Sequence, residues 1–148
     1  MALNLDKVGH VYPAYRYEVA REKIREYARA LGETDPRYFS DGDDCVAPPT
    51  FAATVTVIHG GHAALEDPEL GAHPVLVHGS QRFEYGDRPL KPGDVLECTP
   101  SIESIIHKGA NEFLTIAVDC RFAHSGDLAV LAKETIVFLG SAPREEAA

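Results

Sequence analysis

Between positions 32 and 38 the chain reads Gly-Glu-Thr-Asp-Pro-Arg-Tyr, setting the carboxylates of Glu33 and Asp35 and the phenol of Tyr38 within six residues. A carboxylate and a proton-carrying ring at this spacing could orient a water and move its proton, which is general acid–base work. Near neutral pH the ring suited to that task is imidazole. Here it is a phenol with an ordinary pKa of about 10, which donates a hydrogen bond but does not readily accept a proton. The segment is therefore an active site, a scaffold from which the chemistry has gone, or a helix stop.

Other groups with chemical potential are weaker. His59-Gly60-Gly61 and His62 offer imidazoles at i,i+3, but no further ligand is near in sequence, so a metal pair is not expected. Asp41-Gly42-Asp43-Asp44 has the start of a calcium loop without its distal bidentate glutamate and reads as a solvated turn. Cys45, Cys98 and Cys120 lack the number and spacing of a disulfide framework or CxxC site and are expected to be free thiols. His78 precedes Gly79, whose missing Cβ allows a bulge or close backbone approach, so both are site candidates.

The elements that must position these residues follow from period and punctuation. Val11 to Val19 mixes aromatic and β-branched residues and reads as a first strand at an edge. Over Ala20 to Leu31, apolar Ala20, Ile24, Tyr27, Ala28 and Leu31 recur at helical spacing, and Gly32 with Pro36 ends the helix. Ser40 to Pro49 is a loop. Thr50 to Leu65 is apolar on every side; its length and Thr50 as a cap predict a buried helix. Val75 to Tyr85, Asp94 to His107, Glu112 to His124 and Leu128 to Leu139 read as four strands of an antiparallel meander, followed by a polar tail over 141–148.

One domain spanning 1–148 accommodates all of this, and no apolar run reaches the length of a membrane helix. The first seven residues lack the basic start and apolar stretch of a signal peptide, so a cytoplasmic location is expected. With 23 acidic against 14 basic side chains and a net charge of −9, the chain is a poor candidate for nucleic-acid binding. The predicted fold class is α+β: an antiparallel sheet of about five strands wrapped around a long central helix, dimeric through its edge strands. That arrangement is the hot-dog architecture.

Several motifs occur in a recognisable order: Val8-Gly9-His10, Gly32 to Tyr38, Ala47-Pro48-Pro49-Thr50-Phe51, His78 to Tyr85, and Arg88-Pro89-Leu90 with Gly93-Asp94. In these the chain resembles the MaoC-like (R)-specific enoyl hydratases and 3-hydroxyacyl dehydratases. Within them it is most similar to the small A/C-type subunits of the mycobacterial (3R)-hydroxyacyl-ACP dehydratase. In competent members the frame after the helix reads Gly-Asp-x-Asn-Pro-apolar-His, and the aspartate and histidine handle the water. The resemblance therefore puts Glu33 in place of the aspartate, Asp35 in place of the asparagine and Tyr38 in place of the histidine. Active members also start the central helix with Ala-His-Gly, whose glycine N–H polarises the thioester carbonyl. Here Ala47-Pro48-Pro49 stands there, and proline has no N–H.

The resemblance implies a non-catalytic, acyl-chain-binding subunit of a (3R)-hydroxyacyl-thioester dehydratase of fatty-acid biosynthesis. Its partner would be an Asp/His-bearing catalytic hot-dog chain in a heterodimer, or a second copy in a homodimer, with acyl-ACP or acyl-CoA as ligand and no cofactor. Glu33 and Tyr38 are then degenerate catalytic positions. Asp35, Tyr38, Thr50, Phe51, Val55, His78 and Gly79 are the candidate substrate-binding residues, although for Phe51 and Val55 singly core packing is the stronger expectation. Two alternatives remain: a self-sufficient enoyl hydratase or hot-dog thioesterase, and a hot-dog binding module unrelated to acyl chains.

Overall fold

Alternating apolar residues in the second half of the chain generate a sheet with one buried face. The computed structural model describes residues 2–143. Its strands are β1 (Tyr15–Glu18), β2 (Leu76–Tyr85), β3 (Val95–Lys108), β4 (Asn111–Phe122) and β5 (Leu128–Phe138). All neighbours pair antiparallel, in the order β1-β3-β4-β5-β2. The inner row of β4 is Glu112, Leu114, Ile116, Val118, Cys120 and Phe122, and that of β5 is Val130, Ala132, Glu134, Ile136 and Phe138.

The expected meander is corrected at one point. β3, β4 and β5 are consecutive neighbours, but β2 lies beside β5 at the far edge. The connection 86–94 is too long for a tight hairpin and crosses instead to the other side of the sheet. It is fastened on the way: Ala47 N–H donates to Leu90 O at 2.8 Å, Leu90 is buried, and Arg88 holds both Asp94 carboxylate oxygens at 2.8 Å. The first strand is also shorter than expected, with Val11 contributing only an isolated bridge to Ser101.

The first helix, α1 (Arg21–Leu31), buries Ile24 and Ala28 and ends at Gly32, which adopts φ 72°. A left-handed conformation of this kind is open to glycine without a Cβ penalty. The central helical segment, 49–65, starts as a 3-10 turn (Pro49–Phe51), becomes π-helical over Thr54–Gly61 and closes as α2 (His62–Leu65). The capping position falls to Pro48 rather than to Thr50, and Pro49 sits in the first turn, where its missing N–H has no intrahelical role.

The expectation of a helix buried on every side is corrected: Phe51, Ala52, Val55 and Ala64 are buried, whereas Pro49, Thr50, Ile58, His59 and His62 are exposed. Four hydroxyls donate to its carbonyls. Tyr85 donates to Pro49 O, Tyr27 to Thr50 O at 2.9 Å, Thr56 to Ala52 O at 2.9 Å and Tyr15 to Val55 O at 2.7 Å. The π-helical stretch and α2 pack chiefly on β3 and β4.

The chain ends are tied to the same core. Glu112, fully buried, accepts the Leu3 N–H at 3.0 and 3.1 Å and lies 2.9 Å from His107 Nε2. Ser141, expected in a polar tail, is buried, and Ala142 N–H donates to Ala110 O at 3.2 Å; residues 144–148 lie outside the described residues. Removing the Glu112 carboxylate leaves a buried N–H without an acceptor. Glu112→Ala is expected to lower the unfolding free energy by about 2–4 kcal/mol in a urea titration, with loss of amide-exchange protection at Leu3.

Candidate functional site

The frame after α1 is held by its own backbone. Gly32 N–H donates to Arg29 O at 3.0 Å and Glu33 N–H to Ala28 O at 2.9 Å, which leaves the Glu33 side chain exposed. Asp35 caps the 3-10 turn Pro36–Tyr38 by accepting the Arg37 N–H at 2.9 Å, and its carboxylate also holds the Arg37 guanidinium at 2.7 Å. That side-chain pairing, with the backbone bond, keeps the Asp35 carboxyl below its ordinary pKa. Tyr38 is 9% exposed and belongs to the core cluster. The structure uses the three groups separately: Glu33 is in solvent, Asp35 is held by Arg37, and Tyr38 is packed inside.

At the start of the central helix the two prolines present no N–H, and the first residue able to do so is Thr50. Its carbonyl and hydroxyl oxygens accept from Tyr27 Oη at 2.9 and 3.0 Å, and the Tyr27 ring meets Phe51 edge-on at 5.6 Å. Tyr85 completes the group, its phenol pushed up to about 12 by burial. A cleft of about 280 Å³ opens beside it, lined by Ala47, Pro49, Tyr85, Arg88 and Leu90 among others. This is just below the range of pockets that enclose a drug-sized ligand. Tyr38 and Glu33 are not among its lining residues.

Of the other candidates, Phe51 and Val55 are fully buried in the core, where both pack with Tyr38 in one cluster. His78 stands apart on β2, exposed, its Nε2 3.0 Å from Ser80 O. Gly79 makes the bulge expected of it: the register to β5 shifts between His78 and Ser80, and a Cβ would come within 2.9 Å of Val137. His59 lies against Tyr17 with ring centroids 5.1 Å apart, and no metal-binding group of three or more His, Cys, Asp or Glu residues exists among the described residues.

Sequence reasoning missed the tyrosines that hold the helix carbonyls and a polar pair inside the sheet. Glu134 on β5 is 6% exposed, and Gln81 stands directly opposite it on β2. Both polar atoms of the Gln81 amide are buried without a partner among the described residues. Burial pushes the Glu134 carboxyl above its ordinary value, while His78 and His62 pull it the other way. The sequence signal was available: Glu134 falls in the apolar phase of the β5 alternation.

Comparison with known proteins places this geometry. The family model described as "FAS1-like, dehydratase domain region" matches residues 6–126. The chain belongs to that family. A UPF0336 protein of Streptomyces coelicolor is 42% identical over 126 residues, covering 78% of this chain and 82% of the relative. One of Thermobifida fusca is 37% identical over 152 residues, covering 97% and 98%. Among solved structures, a chain of the C-terminally truncated HadBC (3R-hydroxyacyl-ACP dehydratase) complex from Mycobacterium tuberculosis matches with TM-score 0.74 and 27% identity, over 89% of this chain and 97% of that one. A chain of the ChsH1-ChsH2 complex from the same organism matches in fold, with TM-score 0.70 and 16% identity over 91% and 87%. The fold of this family member is thus the hot-dog, MaoC-like dehydratase fold, with a sheet of five strands around a central helix.

The raised Glu134 pKa has a measurable consequence. A carboxyl whose pKa is higher folded than unfolded contributes its full stability below about pH 4.5, the ordinary value, and loses it as pH rises through the folded pKa. Glu134→Gln removes that loss. Its melting temperature relative to the parent chain is expected to climb as pH increases from 4.5 toward 8, checked by thermal melts across that range.

Proposed function

We propose that this chain is a non-catalytic, acyl-chain-binding subunit of a (3R)-hydroxyacyl-thioester dehydratase. It pairs with a hot-dog chain that carries the aspartate and histidine. The observation that carries this reading is the state of the matched frame. Tyr38 is buried in the core where a proton-transfer imidazole would stand, and the adjacent Asp35 is neutralised by Arg37. The Pro48-Pro49 start of the central helix supports it, because an oxyanion there would find no N–H from either residue.

Pairing is supported by the uncovered edge of β2. Its ten residues bond to β5 on one side only, and Val75, Val77 and Ile58 are 56%, 46% and 63% exposed. An unpaired strand with apolar neighbours is a template for another strand. The likeness to chains of two-component complexes, HadBC and ChsH1-ChsH2, fits a partner subunit rather than a solitary enzyme. In such a pair this chain contributes the walls of the acyl channel and the partner contributes the chemistry.

The test is co-expression with an Asp/His-bearing dehydratase chain from the same cell, followed by an enoyl-thioester hydration assay. The chain alone is expected to give no rate above background, and the co-purified pair a rate that Glu33→Gln leaves unchanged. Hydration by the chain alone that Glu33→Gln abolishes would overturn the non-catalytic reading. A pair that neither co-purifies nor gains activity would overturn the partnership.

A further inference from the structure

In the inner row of β5 and β2, Glu134 faces Gln81, and the exposed imidazole of His78, opposite Ile136, is the nearest other polar group along β2. On either side along the strands lie Ile136, Ala132 and Phe83, and across the sheet Glu134 is in register with Ile116 of β4. Directly opposed residues on one face of an antiparallel pair bring their Cβ atoms within about 5.5 Å, so the two side chains project into the same volume. They do not bond to each other. Both amide atoms of Gln81 are buried without a partner among the described residues, and Glu134 is 6% exposed with no hydrogen bond among the influences on its carboxyl.

We propose that Gln81 and Glu134 form a subsite for an uncharged hydrogen-bonding group, a hydroxyl, carbonyl or amide, carried within an otherwise apolar ligand. This rests on the acyl-binding reading above and deepens it. A carboxamide offers both donor and acceptor; a carboxyl accepts as the anion and also donates once protonated, and burial raises the Glu134 carboxyl above its ordinary value while His78 and His62 oppose that shift. Together they complement an uncharged polar group in either orientation and disfavour an anion.

The position of the pair selects which part of the ligand it meets. Gln81 lies four residues along β2 from Tyr85, whose hydroxyl marks the start of the central helix. At about 3.3 Å per residue that is ~13 Å of depth. A ligand seated at the helix start therefore brings to the pair either an oxygen function partway along its acyl chain or, if it lies in the opposite sense, an amide of its pantetheine arm.

Equilibrium binding to the full chain, in the assembly in which it purifies, separates these cases. The probes are a saturated long-chain acyl pantetheine, its mid-chain hydroxy analogue and the saturated methyl ester, which lacks the amides. If the chain oxygen is the occupant, the hydroxy analogue binds about three- to tenfold tighter than the saturated one. If the amide is, acyl pantetheine exceeds methyl ester by that factor and the hydroxyl adds nothing. In either case Gln81→Leu abolishes the advantage, and shape-preserving Glu134→Gln changes it while the melting transition stays cooperative. Equal binding of all three probes, unaffected by Gln81→Leu, overturns the subsite and leaves acyl binding standing. Failure of every probe to bind overturns both. Weaker subunit pairing in Gln81→Leu with unchanged ligand affinities assigns the amide to the interface and also overturns the subsite.

Discussion

The fold depends on burying a helix whose backbone acceptors must still be satisfied. The central helical segment puts Phe51, Ala52, Val55 and Ala64 into the core, while its 3-10 start and π-helical stretch depart from regular i→i+4 bonding. Tyr15 from the edge strand, Tyr27 from α1, Tyr85 from β2 and Thr56 from the helix itself donate to its carbonyls. Each tyrosine also packs its ring against the core. Sheet, first helix and central helix are thus joined by hydroxyls that serve one backbone.

The same arrangement accounts for the character of the helix start. A catalytic oxyanion site needs free N–H groups aimed at a developing charge, and it exploits the positive end of a helix to provide them. Here the first positions are prolines and the nearby phenols donate inward to carbonyls, so the start of the helix consumes donors instead of presenting them. Tyr38 is built into the core and Asp35 is bound to Arg37, so both residues serve a structural turn. On the proposed reading, the dehydratase fold is kept here without a proton-transfer pair of its own.

Much of this was legible in the sequence because local chemistry and global packing agree there. Apolar spacing located α1, and Gly32 stops it by the left-handed conformation that its position predicts. The alternation in β3, β4 and β5 gave strands within a residue or two of those observed. The place of β2 was not legible, since strand order depends on how the connection 86–94 is fastened, through Ala47–Leu90 and Arg88–Asp94, and those contacts are between distant segments or set by them. The π-helical stretch was hidden for a similar reason: Thr54-Val55-Thr56-Val57 carries strand propensity that only burial within the sheet overrides. Glu112 and Glu134 show a third kind of omission. Each occupies an apolar phase of its strand, and one is a structural clasp for Leu3 while the other makes no hydrogen bond among the described residues, a distinction that alternation alone does not draw.

The central claim is that the chemistry resides in the partner's frame and not in residues 32–38 of this chain, and a reciprocal substitution tests it most directly. In the co-purified pair, steady-state hydration of an enoyl thioester is measured with Tyr38→Phe in this chain and, separately, with the frame histidine of the partner replaced by alanine. The account predicts an unchanged kcat for Tyr38→Phe and a loss of at least about a hundredfold for the partner's substitution. A hundredfold loss from Tyr38→Phe, with the partner's histidine dispensable, would contradict it.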